Sequence, residues 1–340
     1  MNYKEVIDTM NENLDTNTSF VERLKYIYQA ISKELTATDR KEFDNYADSI
    51  LTAIELFFNG ERYKAFKEIY KAYFPENKPN MKISTLHKDS VLYRMRCVNH
   101  YTQFLPEEMY HIPFELRHIV GNERYSVTGL PSLYLGSSVY GCWEETKRQN
   151  IDYSNVAIFT VSKNLKFIDL ILPNDRRIID DFRTLPLIIS CQLTVLDRGG
   201  KFFPEYIIPQ LIMDCLVATR NLPREQNPFI CGIRYASNFQ NQRDLLFSYK
   251  GHEKLFINYV IPPYKVSEKG ICPTIRTLFQ INGVTSYEEI KLLNIVDKKV
   301  SESKLQYERS LFGMLESRLK FLKSKERMFT YHNLEGALTF

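Results

Sequence analysis

RYSVTGLPSLYLGSSVYGCWEE, residues 124–145, is the stretch whose parsing decides the fold. Gly129 and Pro131 mark a turn, because glycine tolerates positive φ and proline fixes its own. Ser132-Leu133-Tyr134-Leu135 has the short apolar and aromatic character of a strand, and Gly136-Ser137-Ser138 breaks it with residues that cap a helix. The helix that begins there carries Glu145. A strand, a small polar turn and a helix start can hold an anion on outward-pointing backbone N–H groups. The same pattern is also an ordinary strand–helix corner with no ligand.

Working outward, Val91 to Val98 alternates as a strand does and places Arg94 and Arg96 on one face, where they either meet water or line an anion site. Residues 156–161 and 165–170 are two further strands, expected to pair in one sheet, and residues 185–196 and 209–218 are apolar enough for buried helices. A strand over Phe229–Tyr235 ends at Ala236-Ser237, which sets a small hydroxyl at a strand terminus, where sites on mixed folds commonly sit. Residues 255–260 form another strand. Towards the N-terminus the period is helical: Val21, Leu24, Ile27 and Ile31 form one stripe, and Phe43, Tyr46, Ile50 and Ile54 a second. A third helix runs through Tyr63, Phe66 and Ile69 to a linker at 75–80. At the other end Leu305, Leu311, Leu315, Leu319 and Leu322 form a stripe among many Lys and Arg. This suits packing within the chain, on a second subunit or on a partner protein. The expected division is a helical domain at 1–80, an α/β domain at 81–270 and a helical C-terminal extension at 271–340.

The 340 residues exceed one average domain. With 44% hydrophobic and 25% charged residues the composition is that of a globular protein rather than a disordered one. The formal charge of +4 is too small for a dedicated nucleic-acid binder and compatible with nucleotides or other small anions. It is unevenly spread. Residues 1–80 hold 11 Lys and Arg against 14 Asp and Glu, a net −3, so the remainder is +7. Six cysteines without a CxxC pair, and six histidines that do not cluster, suggest reduced core thiols and no metal site. His111, between the two arginines, is the one histidine that could reach a pocket. No signal-peptide core and no run of membrane-spanning length is present, so a cytoplasmic protein without membrane association is expected.

In order, these segments resemble the RES-domain family, named for its Arg, Glu and Ser, whose members include NAD-degrading toxins of toxin–antitoxin modules. The resemblance spans roughly residues 91–238. The family's early "LYR" strand matches Leu92-Tyr93-Arg94, and its second arginine before a Gly and Pro matches Arg124-Tyr125-Ser126 with Gly129 and Pro131. Its tyrosine strand and following glutamate match Tyr134-Leu135-Gly136 and Glu145, and its late "GI.YPS" step matches Gly232 to Ser237. Gly141 and Ala236 depart from the family's threonine and proline, and Glu144 beside Glu145 leaves the acid open by one position.

The resemblance implies an α/β (α+β), mixed-sheet domain like the ADP-ribosyltransferase fold. It implies cleavage of the nicotinamide–ribose bond of NAD with no resident cofactor, by phosphorolysis with inorganic phosphate as co-substrate or by hydrolysis. The reaction passes through an oxocarbenium-like ribosyl cation, so the site must hold the pyrophosphate and stabilise developing positive charge. Arg94 and Arg124 suit the phosphates. Tyr93, Tyr125 or Tyr134 suit ring stacking or a ribose hydroxyl, and Glu145 the cation. Ser237, with no histidine assigned beside it, suits hydrogen bonding to phosphate better than nucleophilic attack. Expected partners are NAD, an antitoxin or regulatory protein and a second copy of the chain. The competing functions are ADP-ribosyl transfer to a protein, nucleotide sensing without catalysis, and nucleic-acid binding.

Overall fold

The computed structural model describes residues 18–100, 102–172, 181–196, 199–220, 229–237, 253–287, 307 and 311–335. Contacts group these into two compact units, each drawn from three stretches of chain. One holds the described residues up to 85, 117–131 and 166–237; the other holds 86–116, 132–165 and the described residues from 253 onward. Parallel and antiparallel strand pairs both occur, and the fold class is α+β, as expected.

In the first unit, helices α1 (Phe20–Lys33), α2 (Ala37–Phe58) and α3 (Arg62–Tyr73) form where the stripes place them. Ser19 and Glu22 make a reciprocal cap that satisfies two backbone N–H groups at the start of α1. The apolar face of α1, with Leu24 and Ile27 fully buried, packs towards α5 (Thr184–Gln192), to which the Tyr28 hydroxyl donates at Pro186 O, 2.8 Å away. The apolar α6 (Ile207–Thr219) packs beside α3. The strands of this unit are β1 (Ile83–Leu86), β5 (Leu165–Leu170) and β6 (Ile230–Ala236), in that order, with β5 and β6 parallel.

The second unit is built on β2 (Val91–Cys97), β3 (Leu133–Gly136), β4 (Ser154–Val161), β7 (Ile257–Ile261) and β8 (Phe279–Ser286). Their spatial order is β7, β3, β2, β4, β8, and every neighbouring pair is antiparallel. The expected pairing of 156–161 with 165–170 does not form: β4 lies between β2 and β8, and β5 pairs with β6. Both runs are apolar enough to be central strands, and hydropathy carries no information about partner choice.

Strand β8, which follows the short helix α7 (Pro273–Leu278), falls within the stretch read as a helical tail. Its polar FQINGVTS sequence hides it, and its ladder with β4 shifts register at Ile158/Phe159. Gly283 there admits the C-terminal helix α8 (Leu311–Glu335), because a Cβ at this position would stand 3.2 Å from the Leu322 Cβ. Leu315 and Leu319 of α8 are fully buried against β4 and the short helix α4 (Val139–Glu145), and Leu305 lies outside the described residues. The tail therefore packs within its own unit.

Candidate functional site

The corner at 136–145 forms as its sequence implies, with Ser138 as N-cap accepting from the Gly141 N–H at 2.9 Å. The Ser138 hydroxyl also donates to Leu255 O at 2.7 Å, and a side chain on Gly141 would collide with that same carbonyl. This close approach accounts for glycine where the resembled family has threonine. The turn offers no outward anion cradle at Ser137, Val139 or Gly141. Ser137 N donates to Ile257 O, Val139 N to the Glu316 carboxylate and Gly141 N to Ser138, so the chain itself takes all three. The ordinary-corner reading is the right one here.

The two adjacent acids separate clearly. Glu145 is exposed, and its Oε1 accepts from the Asn258 side-chain amide at 2.6 Å. Glu144 is 1% exposed and takes Arg148 Nε at 2.8 Å. Lys147 and Arg148, at φ 59° and 53°, hold the left-handed turn that folds Arg148 back onto Glu144. Asn258 lies opposite Gly136 on the neighbouring strand, and Tyr93 lies opposite Gly136 on the other side. Strand alternation therefore gives Tyr134, Gly136, Asn258 and Tyr93 one face, the face covered by α4. Tyr134 is half-buried there. Tyr93 is only 3% exposed and packs with Val139, Cys142 and Leu315, which leaves its ring no open surface for stacking on a ligand. Burial first, then the Glu316 carboxylate, raises its phenol far above the usual range.

Arg94 points to the opposite face, with Arg96, as the alternation predicts. Its NH1 donates to Met109 O at 3.1 Å and to Tyr110 O, while Arg96 donates to Glu108 O and lies over the Phe104 ring. Among the described residues no carboxylate pairs with Arg94. Burial, and then the neighbouring Arg96, push its pKa down to about 9, so the guanidinium stays charged at neutral pH. The segment that supplies these carbonyls is fastened by His111. Its Nδ1–H donates to Ile112 O at 2.7 Å and its Nε2 accepts from Cys272 N at 2.9 Å, so both ring nitrogens are engaged in the fold. Burial holds this imidazole below its ordinary pKa, in the neutral form those two bonds require.

The other expected residues belong to the first unit. Arg124 donates to Cys191 O at 2.9 Å and lies over the Tyr206 ring. Tyr125 is 1% exposed and packs on Tyr235 with ring centroids 4.5 Å apart, so it too is a core ring rather than an open stacking surface. Ser237 is likewise 1% exposed. Within the second unit, Glu145, Tyr134 and Tyr93 share one face of the sheet, and no hydrogen bond or ion pair joins Arg94 to Glu145.

Two partners escape the sequence reading. Asn258 is a polar residue in the middle of the apolar run FINYVI, and Glu316 is an acid on the apolar stripe of α8. Each is a local break in a hydrophobic pattern, and that break is the signal. All six cysteine thiols are free, and five of them are buried. Among the described residues no group of His, Cys, Asp and Glu converges as metal ligands would, and no helix is long and apolar enough to cross a membrane.

The chain is 29% identical over 308 residues to a Bacillus subtilis (strain 168) protein named "Putative toxin YopC". The alignment covers 83% of this chain and 66% of that relative, just under two thirds of its length. No family model matches the chain, and no solved structure does.

Proposed function

We propose that this chain is a toxin that acts by consuming NAD. The similarity to a protein named as a toxin supports the first half of this reading, and the unneutralised charge of Arg94 carries the second. A guanidinium that meets backbone carbonyls and, among the described residues, no carboxylate is a stabilising partner for a phosphate, which it can take by charge-assisted hydrogen bonds. Glu145 stands on the other face of the sheet from Arg94, so in this reading it meets the ribose end of NAD and not the phosphates. Being exposed, it can face a substrate, and the Asn258 amide donates to its Oε1.

In this reading the bond between the ribose anomeric carbon and the nicotinamide nitrogen breaks, and its electron pair neutralises the pyridinium. Glu145 stabilises the cation left on the sugar. An oxygen of inorganic phosphate then forms the new C–O bond, giving nicotinamide and ADP-ribose 1''-phosphate. Tyr134, on the same unit as Glu145, would assist at a ribose hydroxyl. Tyr93 and Tyr125 are supporting core rings. An antitoxin that restrains the enzyme follows from a toxin role.

The test is incubation of purified protein with NAD, with and without phosphate and without added metal. Nicotinamide release that accelerates with phosphate is the expected result. Equal rates with ADP-ribose as product would leave hydrolysis in place of phosphorolysis. Unchanged NAD at high enzyme concentration would overturn catalysis and favour nucleotide sensing.

A further inference from the structure

The buried acid of the C-terminal helix has no part in the reaction described above, yet it meets three elements at once. Glu316 is 8% exposed. Its Oε1 accepts from the Val139 N–H at 3.0 Å, the first residue of α4, and from the Tyr307 hydroxyl. The Tyr93 phenol of β2 faces the same carboxylate, whose charge and hydrogen bond help to keep that phenol protonated. The nearest cation on its own helix, Lys320, stands 3.9 Å from the other oxygen. A carboxylate is not needed for packing at this spot, where Leu315, Leu319 and Phe312 already fill the interface. What it adds is a negative charge on the positive end of α4 and an acceptor for a buried N–H.

Helix α4 has seven residues, too few to hold its own geometry in water, so contacts at its ends set its orientation. Glu145 sits at the far end, six residues from Val139, or roughly 9 Å along the axis. We propose that Glu316 is the positioning residue for Glu145: it fixes the start of α4, and the rigid turn and a half that follows delivers the acid to Asn258. This rests on Glu145 being the reacting acid. It makes the C-terminal helix part of the apparatus of the site.

The chain carries its own reporter. Trp143, its single tryptophan, lies on α4 two residues before Glu145, with its ring 5.3 Å from Phe312 of α8. In the full-length protein, Glu316→Ala should lower kcat for NAD tenfold or more with KM changed less than twofold, shift Trp143 emission and speed amide exchange at Val139. Glu316→Gln, whose amide oxygen can still accept both hydrogen bonds, should recover most of the lost turnover. A merely structural role would lower stability without that split between kcat and KM. Folded Glu316→Ala with wild-type kcat overturns the proposal. Should that variant fail to fold, Tyr307→Phe removes one donor, and the expected two- to fivefold loss of kcat decides, with no loss overturning the idea. If the wild-type protein does not turn over NAD at all, the reading of Glu145 fails separately. Emission and exchange then judge the hold of Glu316 on α4, and unchanged values reject it.

Discussion

The two units treat their enclosed charges differently. In the first, Arg23 and Glu205 are buried as a direct pair, and Asp169 receives Arg234 NH1 at 2.9 Å on both oxygens with Lys82 at 3.3 Å. In the second, Arg94 rests on carbonyl oxygens, and Glu316 accepts from a backbone N–H and a tyrosine hydroxyl, with the exposed Lys320 at 3.9 Å as its only cation among the described residues. A pair closed by its opposite charge is committed to holding the fold. A charge whose close hydrogen bonds come from dipoles keeps more of its field, and it is there that an anionic ligand or a positioning role gains most.

The strongest way to break that contrast is to remove one arginine from each unit. Arg23→Met leaves Glu205 enclosed without its cation, and loss of one partner of a buried pair typically costs about 3–5 kcal/mol. Among the described residues Arg94→Met strands no carboxylate, only the Met109 and Tyr110 carbonyls, at about 1–3 kcal/mol, so it should destabilise less than Arg23→Met while NAD turnover is lost. Urea unfolding of both variants, read beside activity, checks this. Equal destabilisation of the two would show that Arg94 is as structural as Arg23, and the contrast would fall.

Much of this was legible in the sequence because hydrophobic period reports burial directly. The three N-terminal helices, β2 with its paired arginines and the corner at 136–145 all declared themselves. Strand pairing did not: β4 and β5 follow each other and read alike, yet they belong to separate units. Strand β8 was hidden by polar residues and by Gly283, whose role is to admit α8. Of the candidate residues, Arg94 and Glu145 could be named from the sequence, but not their surroundings. Asn258 and the carbonyls of Met109 and Tyr110 come from distant stretches, and a backbone carbonyl has no signature in a sequence. Tyr93 and Tyr125 illustrate the reverse, since an aromatic ring reads the same whether it packs a core or awaits a ligand.

The contrast sharpens within a single helix of the second unit, where a buried and an exposed acid stand side by side. Glu144 is buried and paired with Arg148, whereas Glu145 is exposed and accepts from the Asn258 amide. Glu145→Gln should therefore depress kcat by about a hundredfold to a thousandfold, the roughly 2.7–4 kcal/mol typical of losing one group that stabilises transition-state charge. NAD affinity should change little, because the charge it meets develops only as the bond breaks. Glu144→Gln should instead show itself in unfolding experiments, with kcat near wild type. A dead Glu144→Gln beside an active Glu145→Gln would place the acid one residue earlier.

The smallest effect is expected where the first unit departs from its own habit. Asp214 lies on the apolar helix α6, and among the described residues it has no hydrogen-bond or ion-pair partner. Burial alone raises its pKa from 3.8 to about 6. A carboxyl whose pKa is higher in the folded chain than in the unfolded one favours folding most in its protonated form. That benefit is present below the unfolded value and is lost as pH rises through the folded one. Above pH 6 the folded protein therefore carries a poorly solvated charge, and Asp214→Asn, which keeps the shape without the charge, should stabilise it. Partial solvent access limits the gain to the order of 1 kcal/mol, or about 2–4 °C in Tm for a domain of roughly 150–250 residues. At pH 8 the variant should melt above the wild type, and the difference should shrink towards zero as pH falls from 6 to 4. A difference independent of pH would mean that the side chain acts through packing, and a loss of stability at pH 8 would mean that the Asp214 charge is closed by a partner, as Arg23 is by Glu205.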